Sequence, residues 1–211
     1  MKPVSRKKVT EQTLTLDLLR HGEPQGGRRF RGSQDDPLTA TGWEQMQART
    51  RAATPWSFVV SSPLQRCRSF AEVLTEQSQL ALQIEPDLQE IHFGDWEGLS
   101  VETLMQTHPE ALQAHWDDPI NNTPPGGEPL HTFRQRIENC WDNILQQYPA
   151  GHGLIVAHGG TIRILICRAL GLSVNNMWRL DVPYASLSRI TIYRDKQNKA
   201  LPVLTFHAGH L

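Results

Sequence analysis

Residues 14–24, "LTLDLLRHGEP", decide how the chain is read. Leu14 to Leu19 form a short apolar run of the kind that makes a buried strand. Arg20, His21, Gly22 and Glu23 then set a cation, an imidazole, a glycine and a carboxylate side by side. At a strand end that cluster is either an ordinary turn or a reactive site. The local reading favours the turn, and only the rest of the chain decides between them.

Working outward, residues 24–37 are rich in Gly, Arg and Asp and read as a loop. A helix follows, with Thr41 and Glu44 matching a capping box and Thr39 as the other candidate cap. "SFVVSS" (57–62) is the next strand. The helix after it starts at Ser62 as N-cap, with Pro63 in the first position and Gln65 completing a capping box. Cys67, Phe70, Ala71 and Leu74 give that helix its apolar stripe. Residues 80–84 read as a third strand, 89–100 as a loop, and 101–117 as two helical pieces broken at Pro109. "NNTPPGGEP" (121–129) is a strong turn signal, read as a surface loop ahead of a helix over 130–148. "GLIVAHGGTIRILICRALG" (153–171) repeats the order strand, glycine turn, helix. Residues 185–194 alternate in polarity, and together with "LPVLTFHA" they predict two final strands. The expected fold is α/β: a three-layer α/β/α sandwich with a mostly parallel central sheet. One domain is expected to span 1–211, with 1–12 as a flexible N-terminal arm.

The chain has 211 residues, 38% hydrophobic content and a formal charge of -1. That balance speaks against nucleic acid or a membrane as partner, so any anion site must come from a local cluster. The basic start lacks an apolar stretch behind it, and we expect neither a signal peptide nor a membrane-spanning helix. Cys67, Cys140 and Cys167 are widely spaced and fall in helical stretches, so they read as small buried hydrophobes. A cytoplasmic location is the expectation. The oligomeric state is left open, since there is neither a coiled-coil pattern nor an isolated apolar helix face.

Three strand ends share one property. The first leads into Arg20-His21-Gly22, the second into Ser61-Ser62-Pro63 with Arg66 shortly after, and the fourth into His158-Gly159-Gly160. Ligands of open parallel sheets bind outside the carboxyl ends of the strands, so all three clusters face one crevice. A cation in the first turn of a helix opposes the macrodipole, and Arg66 there suits a bound anion. Gly159 and Gly160 allow close backbone approach and leave amides free to donate. Histidine attacks phosphorus when its other ring nitrogen is held, and Arg20 beside His21 can grip phosphoryl oxygens. A leaving alkoxide needs a proton, and Glu90, Asp95 and Glu97 are the nearby candidates. No metal is called for: metal-ligand spacings and a Walker-type loop are absent from the sequence. Arg28, Arg29 and Arg31 are candidates for substrate contact, and Trp96 or Trp116 for stacking on an aromatic base.

Taken together, "LLRHGEP", "FRGSQDDPLTATGWEQ", "VVSSPLQRCRSFAE", "LQEIHFGDWEG", "TPPGGEPLHTF" and "LIVAHGGTIR" resemble, in order, the histidine phosphatase superfamily over about 14–194. The resemblance implies that His21 is the phosphorylated histidine, Arg20 and Arg66 phosphate clamps, His158 the second, phosphate-binding histidine, and Glu90 the general acid. It implies an α/β/α sandwich, no cofactor and no metal. Two positions depart from a common pattern: Pro24 follows the motif glutamate, and Gly27 stands where many members carry Asn. "RGSQDDPLTATGWEQM", "SSPLQRC" and "HFGDWEG" look most like the bacterial branch that acts on alpha-ribazole phosphate. The expected function is metal-independent hydrolysis of a small phosphorylated metabolite. A phosphoglycerate mutase, a sugar-phosphate phosphatase and a non-catalytic phospho-ligand binder are the alternatives.

Overall fold

In the computed structural model, which describes residues 13–51 and 55–209, the opening stretch becomes the centre of a sheet. β1 (Leu14–Arg20) is a run with Leu14, Leu16, Leu18 and Leu19 fully buried. It pairs in parallel with β4 (Gly151–Ala157), which pairs in parallel with β2 (Phe58–Ser61), which pairs in parallel with β3 (Ala81–Ile84). β5 (Leu187–Arg194) runs antiparallel to β1, and β6 (Ala200–Gly209) antiparallel to β5. The sheet order is β3-β2-β4-β1-β5-β6. The mostly parallel sheet read from the sequence is present, closed on one side by an antiparallel pair.

Both sheet faces are covered. Leu19, Val59, Leu154 and Val156 pack with Met46 of α1 (Ala40–Thr50) and with Cys67 and Phe70 of α2 (Gln65–Ser78). Leu14, Leu16, Val60 and Ile155 face α5 (Leu130–Gln147) and α6 (Gly159–Leu170) through Phe133, Ile137, Ile162 and Leu165. Two short helices, α3 (Val101–Thr107) and α4 (Pro109–Asp117), join the second layer through Leu104 and Leu112. The break between them falls at His108, ahead of Pro109, which lacks the amide a continuous helix needs. The three cysteines are buried free thiols. Among the described residues no helix is long and apolar enough to cross a membrane.

Two helix starts differ from expectation. Thr39, not Thr41, caps α1 by accepting the Gly42 amide at 2.9 Å. α2 begins at Gln65, and Leu64 stands at its N-cap position without a side-chain bond. Ser62 Oγ accepts from the Leu64 amide at 3.4 Å and meets a histidine of another strand end, while the Gln65 amide that opens α2 donates to Asp35 Oδ1 at 2.6 Å. The arm expected over 1–12 lies outside the described residues.

Candidate active site

The three clusters converge because their strands are neighbours. Arg20 lies opposite Ala157, and Ser61 opposite Val156, so β1, β4 and β2 end at one level. The chain continues the pairing for one more residue on each side: the His21 amide donates to Ala157 O and the Ser62 amide to Val156 O, both at 3.0 Å. His21, Ser62 and His158 therefore leave the sheet side by side, and the two imidazole centroids are 5.2 Å apart.

Hydrogen bonds set the tautomers of both rings. A carbonyl only accepts, so His21 Nδ1, 2.8 Å from Gly22 O, carries the proton. Nε2 is left with its lone pair. A guanidinium only donates, so His158 Nδ1 accepts from Arg66 Nε at 3.2 Å. His158 Nε2 then holds the proton and donates to Ser62 Oγ at 2.7 Å. Burial pushes both histidines well below the usual imidazole range, and the nearby Arg20 and Arg66 charges add to it. Both rings are neutral at physiological pH.

Arg66 is fully buried. Besides His158 it donates to Gln34 O at 2.7 Å and Gly32 O at 2.8 Å, so it ties the loop after β1 to the sheet end. Arg20 donates from one terminal nitrogen to Val182 O at 2.5 Å and lies 4.2 Å over the Tyr184 ring. Its buried Nε has no partner in the structure. Arg31 is held by Asp36 Oδ2 at 2.7 Å and by Gln25 O and Gly27 O, close enough for its charge to act on His21. Gly27, the departure from the common pattern, thus serves as an anchor for Arg31.

Of the three candidate acids, Glu90 lines the cleft. Its Oε2 accepts the Gly160 amide at 2.8 Å and its Oε1 the Ile91 amide at 3.1 Å. Glu97 instead accepts amides of Ser33, Gln34 and Phe93 and braces the loop. These elements border a cleft of about 500 Å³ that includes Arg20, Arg31, Glu90, Gly159 and Gly160. The α6 N-terminus, positive by its dipole, opens at the same place. A Cβ at Gly159 would sit 3.5 Å from Arg20 Cζ and 3.1 Å from a terminal nitrogen of Arg163. The site can therefore bind a doubly charged anion against a neutral imidazole lone pair, with a carboxyl group beside it. Among the described residues no cluster of metal-ligating side chains is found.

Trp96 is a core residue, 3% exposed, whereas Trp116 is 38% exposed and lines the cleft. Sequence reasoning missed Arg163, Tyr184, His115 and Trp178, which also line it. Arg163 is the fifth residue of α6, one turn further into its helix than Arg66 in α2. Tyr184 sits in an irregular segment before β5, where no local pattern marks it.

The family model described as "Histidine phosphatase superfamily (branch 1)" matches residues 16–203. The chain is 34% identical to the adenosylcobalamin/alpha-ribazole phosphatase of Escherichia coli K12, covering 85% of this chain and 90% of that one. The structure matches that of the alpha-ribazole phosphatase from Shigella flexneri with a TM-score of 0.76 and 31% identity, covering 91% of this chain and 96% of the other. It also matches the mycobacterial glucosyl-3-phosphoglycerate phosphatase, with a TM-score of 0.80 and 27% identity over 92% and 98%.

Proposed function

The chain belongs to the histidine phosphatase superfamily and is a phosphatase, and from that premise we propose that it hydrolyses phosphomonoesters through phosphorylated His21 without a metal. The observation that carries this is the His21 tautomer: Nδ1 bound to Gly22 O leaves the Nε2 lone pair free beside Arg20 and Arg66.

Nε2 attacks phosphorus in line, forming the N–P bond as the ester O–P bond breaks. Arg20, through its unpartnered Nε, and Arg66, through the two N–H groups left after three bonds, hold the phosphoryl oxygens. His158 Nδ1, by accepting from Arg66 Nε, holds that guanidinium in place for the anion. The Gly159 amide adds positive potential at the α6 terminus. Protonated Glu90 gives its proton to the leaving oxygen. Water then attacks phosphorus, Glu90 takes a proton from it, and the N–P bond breaks to release phosphate.

The substrate we assign is alpha-ribazole 5′-phosphate, supported by the likeness to alpha-ribazole phosphatases at 34% and 31% identity. The six strands in one sheet support a single catalytic domain, and the free thiols support a cytoplasmic location. The test is His21→Ala alongside trapping of acid-labile phosphohistidine from labelled substrate. Loss of both turnover and label is the expected result, and near wild-type activity in the variant would overturn the mechanism.

A further inference from the structure

Two tryptophans with 38% of their surface exposed, Trp116 and Trp178, line the same cleft as the catalytic groups. Tryptophan is strongly buried on average, so two half-open indoles on one concave surface are a feature that needs an occupant. They come from separate elements, α4 and the short 3-10 segment Val174–Arg179.

Trp178 is fixed from both sides. Arg163 Cζ lies 5.4 Å from its ring centroid and is itself anchored by Arg163 Nε donating to Leu180 O at 2.8 Å. The His115 ring meets it edge-on at 6.0 Å. His115 Nδ1 donates to Asn122 O at 2.8 Å, and burial holds the ring below the usual imidazole range, so the imidazole adds no charge of its own beside Arg163.

A chain of contacts links this wall to the nucleophile. His21 packs on Tyr184 at 5.7 Å, and Tyr184 packs under Arg20. Arg20 and Arg163 both lie against the open face of Gly159, and Arg163 lies over the Trp178 ring. The cleft thus sets guanidinium groups beside aromatic faces.

We propose that Trp178 and Trp116 bound a leaving-group subsite for a flat, uncharged heteroaromatic ring, which selects base-bearing phosphate esters over bare sugar phosphates. This rests on the phosphatase reading above. A flat ring would stack on an indole already held in place.

The test compares kcat/KM for alpha-ribazole 5′-phosphate and for ribose 5-phosphate, which lacks the base, in wild type, Trp178→Ala, Trp178→Leu and Trp178→Phe. The ratio between the two substrates is expected to fall about 5- to 100-fold in the Ala and Leu variants, the scale of one base–aromatic stack, mainly through KM. Trp178→Phe should keep most of the ratio. A ratio unchanged in the folded Leu variant would overturn the subsite. A variant that loses its fold would lose both substrates together, and the Leu and Phe variants, which leave a smaller gap than Ala, guard against that outcome. Absence of turnover on either ester in wild type would instead overturn the phosphatase reading.

Discussion

Glu90 and Gly160 fit each other so closely that a side chain at position 160 would collide with the Glu90 carboxyl group. Glu90 Oε2 accepts the Gly160 amide at 2.8 Å, and a Cβ at residue 160 would lie 2.4 Å from Oε1. The first turn of α6 therefore aims the carboxyl group into the cleft, and the glycine is the reason it can stand there.

Gly160→Ala should push the Glu90 carboxyl away from the leaving oxygen and lower kcat toward the roughly 100-fold scale of a lost general acid. Glu90→Asp alone should also be slow. In the double variant the shorter acid relieves the clash, so the two losses should combine to less than their product. Steady-state kinetics of all four proteins measures this. Multiplicative losses would show that the contact does not position the acid.

His21 titrates below the ordinary imidazole value of 6.5, first because it is buried and then because Arg20 and Arg66 lie near it. In the free protein, NMR of nitrogen-labelled histidine should show His21 neutral at pH 6.5 with the proton on Nδ1. A folded pKa below the unfolded one makes protonation favour the unfolded chain. The stability linked to His21 is therefore complete above pH 6.5 and is lost as the pH falls toward the folded value. An imidazolium signal at pH 6.5 would contradict the site electrostatics.

Asp17, fully buried in β1, accepts from Trp56 Nε1 at 2.8 Å, from His152 Nε2 at 2.9 Å and from two Arg189 nitrogens at 2.7 and 3.0 Å. Burial alone would raise its pKa, but the bonds from His152, Arg189 and Trp56 outweigh it and leave the group below 3.8. Asp17→Ala should cost about 3 kcal/mol, at the lower end for a broken buried pair, since Arg189 keeps access to water. For a chain this long that is a drop in Tm of roughly 6–12 °C by calorimetry. The Asp17 contribution in wild type should persist down to the usual carboxylate range and vanish as the pH falls through its folded pKa.

Metal dependence separates the imidazole mechanism from a metal hydrolase. Activity should be unchanged after dialysis against a chelator and unchanged on adding magnesium, manganese or zinc. Recovery of lost activity by one of those ions would refute the metal-free step.

How much of this was legible in the sequence follows from the range of the interactions. Strands, helices and the break at Pro109 are written in local periodicity and in residues that lack an amide or a Cβ, so they emerged near their expected bounds. The placement of His21, Arg66 and His158 in one crevice followed from the rule that parallel strands present their carboxyl ends together. The helix start expected at Ser62 falls at Gln65 instead, where the opening amide is met by Asp35 Oδ1, 30 residues away in the chain.

By itself the sequence determined the order of elements and the residue types at each strand end, because propensity, capping and chain order act over a few residues. Only the tertiary structure decided which nitrogen of His158 carries its proton. It also decided that Arg66 spends three donors inside the protein, and that Arg163, Tyr184 and Trp178 complete the cleft. Those outcomes depend on partners brought together by the packing of the sheet and its helices, and no window of sequence contains both members of such a pair.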